Sequence, residues 1–282
     1  MLPALVLSFG STALAKAQTV PTLPYTTLVW SDNFSGPAGS TPSSSNWTQN
    51  LGGGGWGNDE LETYTNSTAN SDLTGSDQLA ITALKTTTNR GGGRHGGGGG
   101  SSSSSSTSYT SARLVSKASY TYGLFEANME IPAGTGLWPA FWMLGANINT
   151  VGWPECGEID AMETIDQDPF TVYGTIHGPD GNSSTDYPGD GLGVSDTTST
   201  NLSSGFHTYS VQWSPNSVTW YLDGVSYGTV TSSDLTRGES WVLNAPENLI
   251  LNLAVGGDWP GSPNSSTHFP AKLLVNWVKV YQ

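Results

Sequence analysis

The chain has 282 residues, a formal net charge of -14 and nine lysines and arginines in total. A surface this acidic argues against nucleic acid or an anionic membrane as partner and favours a neutral ligand. Charged residues make up only 11% of the sequence, less than half the usual proportion of about a quarter, so any dense run of carboxylates asks for an explanation.

Residues 2–15 are an apolar run. The run is too short to span a bilayer, and the small-x-small triplet Ala15-Lys16-Ala17 follows it. Although no positive charge precedes the run, a secretory signal over residues 1–17 is expected, and with it a secreted protein. The remainder, 18–282, fits one large all-β domain, expected to be a monomer. Turn-forming residues punctuate short β-rich runs. The pattern predicts strands at Leu28–Phe34, Gln78–Ala83, Ala112–Leu114, Gly123–Glu130, Pro139–Leu144 and Gly157–Glu163. Further strands are predicted at Phe170–Ile176, His207–Trp213, Ser217–Leu222, Leu249–Leu253 and Leu273–Tyr281. Glu126, Asn128 and Glu130 alternate with Phe125, Ala127 and Met129, the signature of a half-buried strand. Asp223-Gly224 reads as a hairpin turn. No segment carries a long helical period, so the chain reads as a β-sandwich of antiparallel sheets.

Between Asn89 and Ser108 the sequence is almost all Gly and Ser. Such a tract buries too little apolar surface to offset its chain entropy, and a mobile loop inside the domain is expected there. The lone Cys156 excludes an intramolecular disulfide and a CxxC metal site, and reads as a small buried hydrophobe. Asn46-Trp47-Thr48 and Asn66-Ser67-Thr68 are glycosylation triplets that matter only in a host able to use them.

The acidic run is Glu158-Ile159-Asp160-Ala161-Met162-Glu163. On a regular strand Glu158 and Asp160 share one face and Glu163 points to the other. A one-residue bulge at Ala161-Met162 would return Glu163 to the face of the first two. Two glutamates flanking an aspartate on one surface suit glycosidic bond cleavage, where one carboxylate attacks and a protonated partner assists the leaving group. The competing reading is an acidic edge strand that deters aggregation.

Taken with Leu137-Trp138-Pro139-Ala140-Phe141-Trp142-Met143-Leu144 upstream, this segment resembles glycoside hydrolase family 16, and most of all its bacterial laminarinases. Gly55-Trp56-Gly57-Asn58-Asp59-Glu60-Leu61, Ser111-Ala112-Arg113-Leu114 and Thr175-Ile176-His177-Gly178 support the likeness, which runs from Leu28 to Tyr281. The resemblance implies a β-jelly-roll fold and endo-β-1,3-glucanase activity with retention, which needs carboxyl groups about 5–5.5 Å apart. It implies Glu158 as nucleophile, Glu163 as general acid/base, and Asp160 as the residue between them that hydrogen-bonds the nucleophile. It also implies sugar contacts for Trp138, Trp142, Asn58, Arg113 and His177. Trp56 and Trp259 lie in Gly-rich loops, where an exposed ring is costly unless it contacts ligand, and both are candidates for outer subsites. Arg113 has an alternative as an ion-pair partner of Glu60, and His177 as a structural histidine.

The chain departs from the family at Glu62-Thr63-Tyr64, where Gln-Tyr-Tyr is often seen, and at Asn33 and Asn276, where many relatives carry carboxylates near a convex-face calcium site. No cofactor is therefore expected, and calcium binding, open to backbone carbonyls alone, is expected to be weak or absent. The substrate implied is a β-glucan polysaccharide. Alternatives are a non-catalytic β-glucan-recognition module, a transglycosylase, or a glycosidase on mixed-linkage glucan or agar. Lectin-like relatives lose the catalytic glutamates, whereas this chain keeps Glu158, Asp160 and Glu163 together.

Overall fold

The computed structural model describes residues 25–90, 104–181, 185–236 and 238–282. The expected signal segment and the centre of the Gly/Ser tract lie outside them. In chain order the strands are β1 (Leu28–Asp32), β2 (Trp47–Asn50), β3 (Glu62–Tyr64), β4 (Ser71–Leu73), β5 (Leu79–Arg90), β6 (Ser104–Ser111), β7 (Arg113–Tyr120), β8 (Gly123–Glu130) and β9 (Leu137–Gly145). They continue as β10 (Glu158–Glu163), β11 (Thr171–His177), β12 (Leu192–Thr197), β13 (His207–Ser214), β14 (Ser217–Leu222), β15 (Val225–Thr231), β16 (Glu247–Val255) and β17 (Ala271–Tyr281).

Two sheets form a jelly-roll sandwich. One follows the order β12-β11-β10-β9-β16-β7-β2 and carries the acidic strand near its middle. The other runs β15-β14-β13-β8-β17-β5-β6-β3, with β1 on β17 and β4 on β5. All pairings are antiparallel except the short β3–β6 contact. The core between the sheets is built by alternation. In β8, Phe125, Ala127 and Met129 are buried while Glu126, Asn128 and Glu130 face outward. From the facing sheet come Phe141, Met143, Ile159, Met162 and Leu251, all fully buried. Trp220 crosses the core and donates from Nε1 to the backbone oxygen of Asp160 at 2.7 Å. The convex sheet thus clamps the acidic strand from beneath.

Asp223 and Gly224 adopt φ of 50° and 78°, the left-handed pair that a two-residue hairpin turn requires. The Gly/Ser expectation needs correction. β5 runs on to Arg90 and β6 begins at Ser104, paired from Leu84↔Thr110 to Arg90↔Ser104. An antiparallel ladder satisfies the backbone without any apolar face, and threonine favours it. Hydroxyls pair across it, with Thr88 Oγ1 at 2.7 Å from Ser106 Oγ. Polar residues on both faces hide such a strand from a hydrophobicity reading.

On the convex sheet Asn276 sits in a chain of amides. Its Oδ1 accepts from Gln78 Nε2 at 2.9 Å, and its Nδ2 donates to Asn128 Oδ1 at 2.6 Å. Nearby in sequence to Asn33, the Asp32 carboxylate accepts from Phe34 N, Asn46 Nδ2 and Trp47 Nε1 at 2.8–2.9 Å. Neutral amides in a mutual network and a carboxylate already satisfied by three donors do not fit a calcium ion, which seeks several oxygens and net negative charge. An ion at ~100 times its dissociation constant would add about 2.7 kcal/mol and several degrees of thermal midpoint. The expected result is a midpoint that a chelator leaves in place. A drop of several degrees, reversed by calcium, would show that uncharged oxygens suffice.

Candidate active site

The bulge lies where the acidic pattern demands it. Asp160 is opposite Trp142 on β9, but the next pair is Met162↔Phe141, so Ala161 is the extra residue. The same slip appears against β11, where Asp160↔Thr175 is followed by Glu163↔Tyr173. Ile159, Ala161 and Met162 all enter the core. Glu158, Asp160 and Glu163 are left on the opposite, concave face. The core dictates this: three apolar side chains in four positions pack downward only if the strand takes one irregular step.

Each glutamate is held by an indole. Trp153 Nε1 donates to Glu158 Oε2 and Trp138 Nε1 to Glu163 Oε1, both at 2.9 Å. Burial raises the Glu158 carboxyl to about 8, helped by the Asp160 charge and opposed by His177, Trp153 and Arg113. Glu163 is also held well above the usual carboxylate range, by burial first and then by the charges of Asp160 and Glu158. Glu158 has the additional help of Arg113, which makes it the carboxyl that ionises more readily. Two acids in one site with unequal environments are what acid and nucleophile roles require.

Asp160 is 3% exposed, and its engaged partner is His177 rather than Glu158, with Oδ2 3.0 Å from Nε2. His177 Nδ1 meets Asp186 Oδ2 at 2.6 Å, and Asp186 Oδ1 accepts from the backbone of Gly178 at 3.0 Å. Burial alone would lower the imidazole, but contacts to both aspartates outweigh it and hold His177 well above its ordinary range. The imidazolium therefore balances the carboxylate cluster. Ligand atoms of Glu158, Asp160 and His177 lie within 4.8 Å of one another. With both ring nitrogens facing carboxylates, His177 has no lone pair to offer a cation.

Aromatic rings wall the cleft on both sides of this cluster. Trp259, 39% exposed, packs edge-on against Trp138 and Tyr173 at 5.4 and 5.0 Å between centroids. On the other side Arg113 is sandwiched, its guanidinium 4.8 Å from the Trp56 ring and 4.6 Å from the Trp142 ring. That stacking replaces the ion pair with Glu60 that the sequence left open; Glu60 instead accepts from Asn58 Nδ2 at 3.3 Å and Tyr64 Oη at 3.0 Å. Asn58 itself is exposed on the loop before β3. Trp142 Nε1 donates to Asn252 Oδ1 at 2.7 Å.

Sequence reasoning missed Trp153, Asp186, Asn252, Tyr64 and Tyr173. Trp153 was accessible to it: the residue follows Gly152, precedes the acidic strand by five positions and is 45% exposed. The same argument that singled out Trp56 and Trp259, an exposed ring in a glycine-flanked loop, applies to it.

A sandwich with paired carboxyl groups and indole walls on its concave face defines a carbohydrate-processing site. Residues 59–279 match the family described as glycosyl hydrolases family 16, and the chain belongs to that family. It is 37% identical over 269 residues to a beta-glucanase of Rhodothermus marinus, covering 92% of this chain and 86% of the relative. A glucan endo-1,3-beta-glucosidase of Cryptopygus antarcticus is 35% identical over 247 residues, covering 83% and 82%. Among solved structures, the endo-beta-1,3-glucanase of Pyrococcus furiosus superposes with a TM-score of 0.77 at 39% identity, covering 90% of this chain and 94% of that one.

Proposed function

We propose that the protein is a secreted, retaining endo-β-1,3-glucanase. The observation that carries the reading is the bulge that puts Glu158, Asp160 and Glu163 on one face, with each glutamate bound by a different indole. In the mechanism proposed, ionised Glu158 attacks the anomeric carbon while Glu163 gives its proton to the departing glycosidic oxygen. Glu163, now a base, then takes a proton from the water that releases the glycosyl-enzyme. Asp160 and His177 set the local charge, and the flanking indoles offer faces on which glucosyl rings stack. The names of the relatives support β-1,3-glucan as substrate. Secretion accords with the apolar leader and with a polymer too large to enter a cell.

Chromatography of products from laminarin, lichenan, agarose and xyloglucan tests this reading. Laminarin should yield a ladder of oligosaccharides from the earliest times, with the other polymers cut more slowly or not at all. Release of glucose alone would refute internal cleavage, and turnover confined to agarose would refute the substrate.

A further inference from the structure

One buried acid near the cleft has no place in the chemistry above. Glu62 on β3 is 1% exposed. Its Oε2 accepts from the backbone N of Val255 at 2.7 Å. Its Oε1 has no hydrogen-bond donor among the described residues, and the side chain is in contact with that of Glu60. Two carboxyl groups in contact are compatible only if one proton lies between them.

From Glu60 a continuous hydrogen-bond chain leads to the cleft. Tyr64 Oη donates to Glu60 Oε2 at 3.0 Å, Asn252 Nδ2 donates to Tyr64 Oη at 3.1 Å, and Trp142 Nε1 donates to Asn252 Oδ1 at 2.7 Å. The Glu62 contact with Val255 also belongs to a clasp. Leu61 N donates to Val255 O, and Asp258 N to Asn58 O, both at 2.8 Å. This clasp fastens the loop bearing Trp56 and Asn58 to the end of β16.

We propose that Glu62 is a positioning residue for the Trp56–Trp142 wall of the cleft, fastening one side through Val255 and ordering the other through Glu60, Tyr64 and Asn252. The assignment rests on the glucanase reading. The titratable and charged groups around Glu62 are Glu60 and Tyr64 on its own segment, Tyr109 as its register partner on β6, and Arg113 on β7. β16 meets it through the backbone N of Val255. Burial, then the Glu60 contact, pushes the Glu62 carboxyl up to about 8. The shared proton is therefore present at neutral pH and is lost above it. Once it is lost, the buried Glu62 and half-buried Glu60 carboxylates repel at the root of the wall, and sugar binding should weaken while chemistry at Glu158 is untouched.

The test is a pH profile of KM and kcat for wild type, Glu62→Leu and Glu62→Gln on soluble β-1,3-glucan. Glutamine can accept from Val255 and donate to Glu60 without titrating. At pH 6, Glu62→Leu should raise KM ~10-fold, the order expected for an orphaned buried N–H, with kcat nearly unchanged. Glu62→Gln should restore the wild-type KM and hold it flat to pH 9, where the wild-type KM rises. Parallel KM profiles for wild type and Glu62→Gln would overturn the proposal, and decide it even if Glu62→Leu fails to fold.

Failure of the substrate reading is separable, because near-UV circular dichroism needs no sugar. In a Glu158→Gln/Glu163→Gln background, which removes the other indole-bound carboxyls, the aromatic signal should titrate with a midpoint near the Glu62 value of about 8, and adding Glu62→Gln should abolish that transition. The same transition in both proteins would also overturn the proposal.

Discussion

Glu158→Gln yields a folded protein that cleaves laminarin on the order of 10⁴-fold more slowly than wild type, a loss of roughly 5 kcal/mol in transition-state stabilisation. The substitution keeps side-chain volume and leaves an amide oxygen to accept from the Trp153 indole, so the cleft retains its shape. What disappears is the oxygen that forms the glycosyl-enzyme bond, and no neighbouring group replaces it: Asp160 is engaged with His177, and Glu163 is tied to Trp138. Folding should not suffer. Wild-type Glu158 is raised to about 8, so the folded state binds more protons than the unfolded state between the ordinary carboxylate range and that value. Stability from this group therefore declines as pH rises through that window. Glutamine carries no such penalty, and at pH 8 the variant should melt no lower than wild type. Proton NMR of early wild-type products completes the test, because double displacement delivers the β-anomer first. An initial α-anomer, or a variant with normal turnover, removes Glu158 from the nucleophile's role.

The parts of this site that the sequence discloses are those encoded locally. β8 and β14 are legible to the residue because polar and apolar positions alternate along most of each strand and turn-forming residues flank it. The bulge in β10 is legible for the complementary reason: acid and apolar positions fall out of phase at one step only, and restoring the phase costs one residue. Trp138 and Trp142 share a face because they are four apart on a strand. The supports are not local. Asn252 reaches Trp142 across 110 positions and Tyr64 across 188. Asp186 reaches His177 from a loop whose sequence, rich in Ser, Gly and Asp, looks like any solvated turn. The short strands β2, β3 and β4 have too few residues for a period to emerge, and their existence depends on partners elsewhere in the sheet. Periodicity therefore finds the surface that bears the chemistry, while the network that aims each group needs the folded chain.

Glu163→Ala separates substrates by their leaving groups. A sugar leaves poorly without a proton, so laminarin cleavage should fall by two to four orders of magnitude, roughly the range of general acid catalysis. An aryl β-glucoside oligomer with an acidic phenol needs no proton, and its first step should be nearly spared. The glycosyl-enzyme then accumulates, because the same residue serves as base for the incoming water. Azide is small enough for the space left by the side chain, needs no base, and should restore turnover while forming a β-glycosyl azide. The pH dependence has a definite sign. Burial, with the charge of Asp160 next, keeps Glu163 protonated well above the usual carboxylate range, so wild-type kcat on laminarin should fall as pH climbs through that raised value. In Glu163→Ala the group that titrates is gone, and the residual laminarin cleavage should lack that alkaline limb. Trp138, whose indole donates to Glu163 at 2.9 Å, offers a control. Trp138→Phe removes that donor, which favours the charged form, and should shift the limb to higher pH without abolishing it. Equal losses on good and poor leaving groups, with no product from azide, would place the acid on another residue.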